Sequence, residues 1–437
     1  QSGASLISKA VTGEVAAPAP PRRWWQRASR SAAPDVDDYE VTVSANAWVP
    51  IALFALIACA FLFRFAAADQ LSSHVDEAAS VLAAEMVVDK GVPIFPSGTL
   101  YLQGATISYI IAPLIALDIG GYQDLLPLRL LSVFAGTLAV YFAYRLGRLV
   151  TGSAAAGFVV AVLLAADPAS VRWSGMVRMY ALLQMVSLAV LWLFLQALLR
   201  PPTRRQLVAM VALFWFGVFT HIGICLFLPG MFIAAGLVYG SDLRYGRRDL
   251  SAALIACCGA PVAMLALNRL VSPPNEAVSS ALPGVSFVGD FLFSFDQITN
   301  PSFRSWDLLF GYSTSGLIVP WLILGASCLL AGRYFLGEAG RNRFTVQRSR
   351  MITALFLLYW LPIVAVAALA TEPAERYLLH IHPLGLALIV LLAYDLIAYP
   401  FPSLSMASLR RAGASMAAAP AEAPDGLAQP WRRPRIA

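Results

Sequence analysis

Asp76 and Glu77 stand side by side in the segment Ser73-His-Val-Asp-Glu, directly after the first long apolar run. Adjacent carboxylates permit two chemistries. One ionised acid can act as a general base toward a hydroxyl while its neighbour orients it. Alternatively, the two can hold a hard cation, Mg or Mn, together with substrate oxygens. Base catalysis alone needs no metal, so these residues demand no cofactor. Both acids would also suit the positive end of a short helix, a purely structural role. His74, two residues before Asp76, is either a partner of that acid or an exposed histidine.

Guanidinium groups supply the complementary chemistry. The segment from Asp167 to Tyr180 carries Arg172 and Arg178 at the edge of an apolar run, with Tyr180 one step further on. The segment Thr371-Glu-Pro-Ala-Glu-Arg-Tyr repeats the pairing at Arg376 and Tyr377, with Glu372 nearby. A guanidinium fork matches phosphate well, so two Arg/Tyr helix mouths read as an anion cradle. The structural alternative is snorkelling, or pairing with Asp167. His221, in Thr-His-Ile-Gly, reads as a satisfied structural histidine. His380 and His382 are two apart and fall on different helix faces, which argues against a joint metal site. The 5 cysteines all fall inside apolar runs without metal or disulfide spacing, and read as buried thiols.

The elements that must position these residues are membrane helices. The chain has 437 residues, 59% hydrophobic and 13% charged, with mean hydropathy +0.70. A soluble domain is nearer a quarter charged, so the composition implies an all-α polytopic membrane protein. The net charge of +6 invites a nucleic-acid partner. Its basic residues, however, sit in short clusters between apolar runs, as the positive-inside rule requires, and no nucleic acid is expected.

Apolar runs fall at about 48–66, 127–149, 153–167, 179–199, 206–221, 222–240, 250–271, 313–335, 351–370 and 377–399, giving about ten spans. Residues 1–47 read as a disordered cytoplasmic tail, 48–399 as the transmembrane domain and 400–437 as a second cytoplasmic tail. With both termini inside, most arginines lie on the inner face. Residues 67–126 and the lid-like loop 272–312 then lie outside, as do both Arg/Tyr mouths. The alanine- and arginine-rich composition suggests a bacterial cytoplasmic membrane. Within the first outer loop, Asp76 to Lys90 reads as a helix capped by Ser73 and stopped by Gly91 and Pro93. Its apolar stripe is Val75, Ala79, Leu82 and Met86. Ala105 to Ile119, too short to span, is expected to lie along the outer surface.

Four segments recur in order on one side of the membrane: Asp76-Glu77, Leu-Pro-Leu-Arg-Leu-Leu at 126–131, Val-Arg-Met-Tyr-Ala-Leu-Leu at 177–183, and Glu-Arg-Tyr-Leu-Leu ending at Leu379. Thr220-His221 adds a fifth position. This set resembles the polyprenyl-phosphate-dependent glycosyltransferases of the GT-C class, in particular bacterial relatives of the protein mannosyltransferases and of the aminoarabinose transferase of lipid A. The resemblance implies a GT-C-like fold and a lipid-linked sugar donor presented on the outer face. The acceptor would be a hydroxyl on a glycan, a lipid or a protein. Asp76 would be the base and the reaction would invert the anomeric carbon. Arg178, then Arg376 and Arg172, would stabilise the departing phosphate, with Tyr180 and Tyr377 bonding phosphate or sugar. The lipid A enzymes carry a lysine where this chain has Gln103, so the phosphate contact there differs. The competing reading is a flippase for lipid-linked sugars or another transporter, which would want acids or broken helices at the midplane. A scaffold protein is the remaining class.

Overall fold

The computed structural model describes residues 48–102, 104–239, 248–271, 318–331, 343–369 and 378–398. The expected tails and the 272–312 loop lie outside them. The chain divides into two compact units, residues 1–51 and 52–437, and the site belongs to the second.

Each of the ten apolar runs forms a helix within the described residues. In order they are α1 (Trp48–Gln70), α2 (Val75–Lys90), α3 (Ala105–Ala116), α4 (Leu126–Thr151), α5 (Ala154–Ala166), α6 (Pro168–Ser174), α7 (Tyr180–Leu199) and α8 (Arg204–Thr220). A 3-10 turn (Ile222–Leu226) leads into α9 (Phe227–Tyr239). Then follow α10 (Arg248–Val271), α11 (Ile318–Ala331), α12 (Arg343–Leu369) and α13 (His382–Ala398). Four of these, α1, α4, α7 and α10, are long and apolar enough to cross a membrane. The pair α5 and α6, bent by 61°, makes a fifth if taken as one span. Others are shorter than the roughly 20 residues that a full span needs.

Local chemistry sets the ends. Pro168 lacks an N–H and cannot continue α5, and the Asp167 carboxylate restarts the chain by accepting from Ser170 N at 2.7 Å. The break deprives the last carbonyls of α5 of their regular i+4 donors, leaving Leu164 O with a long bond from Asp167 N at 3.4 Å. Arg64, fully buried within α1, donates to the carbonyls of Leu164 and Ala165, at 3.2 and 3.4 Å. It also donates to Ala60 O at 3.3 Å and to Ser170 Oγ at 3.4 Å, and that hydroxyl donates to Gln184 Oε1 at 2.8 Å. Gln184 Nε2 in turn donates to Leu379 O at 2.8 Å, so one polar chain joins α1, α6, α7 and the entry to α13.

A large apolar core joins α4, α7, α8, α9, α12 and α13. A smaller one lies beneath α2 and α3, where Val81, Ala84, Ile107 and Ile111 pack on Trp173, Val177, Tyr180 and Leu379. That second core seats the two surface helices on the Arg178 segment.

The helices α2 and α3 form as expected, but α2 presents a different face. Its buried residues are Glu77, Ser80, Val81, Ala83 and Ala84, and Val75 is 78% exposed. The apolar stripe expected through Val75, Ala79, Leu82 and Met86 therefore does not face the core. Two causes are visible. Small residues at 80 and 84 let α3 approach closely, and Glu77 is drawn inward by an arginine on α4. The cap also shifts by one residue. His74, not Ser73, caps the helix, its Nδ1 accepting from Asp76 N at 3.2 Å, while Glu77 Oε2 accepts from His74 N at 3.1 Å. Gly91 ends the helix in the left-handed conformation, as expected, with φ 75°.

The turn after α3 is tied to α2 by Tyr122, whose hydroxyl donates to Glu85 at 3.3 Å. Burial, with the Glu85 carboxylate beside it, pushes the Tyr122 phenol up to about 12, so it remains a donor through the physiological range. At the start of α3, Gly104 has φ +101°, and a Cβ there would sit 2.9 Å from the Tyr101 hydroxyl. Gly104→Ala is expected to cost about 1–3 kcal/mol through backbone strain alone. A tryptophan-fluorescence melt of the detergent-purified protein would register this, and an unchanged midpoint would contradict it.

Candidate active site

The two acids at the start of α2 occupy opposite environments. Glu77 has no exposed side-chain surface. Its Oε1 accepts from Arg129 Nε at 2.9 Å and from Val177 N at 2.8 Å. Its Oε2 accepts from Arg129 Nη2 at 2.8 Å and from His74 N at 3.1 Å. A carboxylate has about four lone-pair sites, so Glu77 is saturated. Arg129 is equally committed: beyond Glu77, it donates to Ala68 O, Leu71 O and Ser72 O at 2.6, 2.8 and 3.3 Å. All five of its N–H groups are therefore used, and they close the carbonyl end of α1 onto the start of α2.

Asp76, one residue earlier, keeps 27% of its side chain exposed, and its Oδ2 lies 3.4 Å from Arg178 Nη2. Arg178 is buried and held from several directions. Its Nη1 donates to Asp76 O at 2.9 Å, Tyr101 Oη at 3.1 Å and Ser80 Oγ at 3.4 Å. Its carbonyl accepts from Ser132 Oγ at 3.1 Å. Arg129 and Ser132 lie three residues apart on one face of α4, so a single helix surface fixes both Val177 and Arg178. The guanidinium carbon sits 5.5 Å from the Tyr180 ring centroid, and Tyr180 also packs on Trp173 and His221 at 5.0 and 5.8 Å.

The structure thus brings Asp76, Glu77, His74, Arg178 and Tyr180 together. His221 caps the 3-10 turn through Gly223 N at 3.0 Å and forms the far side of Tyr180, as a structural histidine should. Across that turn His380 lies 3.2 Å from Gly223 O, and His382 instead pairs with Asp167 at 3.3 Å. Arg172 is exposed on α6; its carbonyl accepts from Gly175 N at 3.1 Å, and its guanidinium makes no hydrogen bond or ion pair among the described residues. Gln103, Glu372, Arg376 and Tyr377 lie outside the described residues.

A divalent ion shared by Asp76 and Glu77 does not fit this arrangement, because both Glu77 oxygens already accept two hydrogen bonds each. Among the described residues, no group of three or more His, Cys, Asp or Glu is placed to hold a metal.

Sequence reasoning gave no role to Arg129, Arg64, Ser80 or Tyr101. Two of them carried a signal. A charged residue inside an apolar run is expensive and needs a partner, which marks Arg64 and Arg129. The sequence does not name that partner, since Glu77 and Arg129 are 52 residues apart.

No protein-family model and no curated protein matches the chain. Solved structures do. ArnT from Cupriavidus metallidurans bound to undecaprenyl phosphate is 15% identical with a TM-score of 0.51, the match covering 86% of this chain and 64% of that one. Archaeal oligosaccharyltransferase AglB from Archaeoglobus fulgidus, in complex with an inhibitory peptide and a dolichol-phosphate, is 14% identical with a TM-score of 0.45, over 85% and 54%. The chain therefore spans under two thirds of the length of either enzyme. Its fold is the all-α, membrane-embedded GT-C fold, the one carried by the aminoarabinose transferase ArnT.

Proposed function

We propose that the protein is a membrane glycosyltransferase that moves a sugar from a polyprenyl-phosphate-linked donor to a hydroxyl acceptor on the extracytoplasmic face. The observation that carries this reading is the partly exposed Asp76 carboxylate 3.4 Å from the buried Arg178 guanidinium, at the end of the bundle covered by α2 and α3. The GT-C fold and the undecaprenyl phosphate bound to ArnT support the donor class.

Asp76 removes the proton of the acceptor hydroxyl. The oxygen attacks the anomeric carbon from the face opposite the phosphate, and the bond from that carbon to the phosphate oxygen breaks with inversion. Polyprenyl phosphate departs. Negative charge leaves Asp76 as it takes the proton and grows on the phosphate. A cation beside the departing phosphate stabilises that growing charge, and Arg178 takes this role in this reading. Glu77 acts through position: with Arg129 it fixes the start of α2 against Val177, so that Asp76 faces Arg178. Arg376, Tyr377 and Tyr180 complete the donor site in this reading.

The test is a reconstituted assay with a labelled polyprenyl-phosphate sugar. Release of polyprenyl phosphate that depends on a hydroxyl acceptor is the expected outcome. Movement of the labelled lipid between leaflets with no sugar transferred would replace this reading with a flippase.

A further inference from the structure

Tyr101 was not among the residues that sequence suggested, yet its hydroxyl lies at the centre of the site. The segment after α2 turns back on itself: Tyr101 N donates to Pro93 O at 2.8 Å, and an antiparallel bridge links Ile94 and Leu100. The ring packs on Phe95 at 5.2 Å and curls over Gly104, where the missing Cβ leaves room for the hydroxyl. A side chain at 104 would displace that hydroxyl, so this segment can present a polar group from Tyr101 or from position 104, but not both.

The Tyr101 oxygen accepts from Arg178 Nη1 at 3.1 Å. Arginine offers only donors, so the phenolic hydrogen is not engaged by it. Among the described residues that hydrogen has no acceptor. Arg178 Nε, buried, likewise has no hydrogen-bond partner among them. The Tyr101 hydroxyl thus has an unspent hydrogen beside the buried Arg178 guanidinium, and an acceptor-rich anion is the chemistry that it suits.

We infer that Tyr101 is a phosphate-binding residue, donating its hydroxyl hydrogen to a phosphate oxygen of the lipid-linked donor alongside Arg178. The inference rests on the proposed function.

The test measures binding of undecaprenyl phosphate to the purified full-length protein, with Tyr101→Phe as the variant. Phenylalanine keeps the packing on Phe95 and Gly104, so the melting midpoint should hold. A hydrogen bond to a charged group implies about 10- to 100-fold weaker binding. Arg178→Lys supplies the second arm. If Tyr101 touches phosphate itself, adding Tyr101→Phe weakens binding by a similar factor in that background; if it only steadies Arg178, the factor vanishes and the inference falls. Wild-type protein that binds, with Tyr101→Phe equal to it, overturns the role of Tyr101 and leaves the proposed function standing. Wild-type protein that fails to bind undecaprenyl phosphate overturns both.

Discussion

Asp76→Asn is expected to lower acceptor-dependent release of polyprenyl phosphate by about 10²- to 10⁴-fold, the usual range for a lost general base. Asparagine has nearly the same shape and its Oδ1 can still accept from Arg178, but it takes no proton from a hydroxyl. Folding should hardly change. The Asp76–Arg178 contact is long and Asp76 is partly exposed, so water can take over part of what the carboxylate supplies, although the guanidinium itself is buried. Arg178 also keeps its bonds to the Asp76 carbonyl, Tyr101 and Ser80. The neighbouring substitution, Glu77→Gln, should behave in the opposite way. It turns an amide N–H₂ toward Arg129 in a buried site and removes the acceptor from either Val177 N or His74 N, according to which oxygen becomes the amide nitrogen. Two adjacent acids thus separate by readout: turnover collapses at constant melting temperature for position 76, and the melting temperature falls for position 77. Full turnover in Asp76→Asn would remove Asp76 as the base.

The helices were legible because lipid demands long apolar runs, and Pro, Gly and capping residues punctuate them; Gly91 ends α2 where its chemistry says it should. The Arg178–Tyr180 mouth was legible for the same reason, as charge where an apolar segment starts. What stayed hidden depends on contacts distant in sequence. The inward face of α2 cannot be read from periodicity, because Glu77 is buried by its pairing with Arg129, and a carboxylate on a helix wheel counts as polar until that partner is known. The one-residue move of the cap from Ser73 to His74 has the same origin: Glu77 reaches back to His74 N while held by Arg129. Tyr101 escaped notice because its role depends on Gly104 and Arg178 together, one near in sequence and one far.

Arg129→Met should be the most destabilising single change at the site, by about 3–5 kcal/mol, since it leaves the Glu77 carboxylate buried without its counter-charge. Replacing both members, as in Glu77→Leu with Arg129→Met, removes the stranded charge. Buried ion pairs often tolerate such exchange with little loss. Full recovery is not expected here. Val177 N and His74 N would lose their acceptor, and the carbonyls of Ala68, Leu71 and Ser72 their donor. Of these groups only Val177 N and Ala68 O belong to buried residues, and each costs about 1–3 kcal/mol when left unpaired, whereas the part-buried ones can turn to water. The double variant should therefore sit between Arg129→Met and the wild type in a melt, with a coupling energy well above the few tenths of a kcal/mol seen for independent sites. Its turnover should stay low even where stability returns, because nothing then pins the start of α2 to Val177, and Asp76 is held toward Arg178 only by the bonds of Arg178 Nη1 to Asp76 O and Ser80 Oγ. Additive losses in the cycle would mean that Glu77 and Arg129 act separately; restored turnover would mean that Asp76 does not need them to face Arg178.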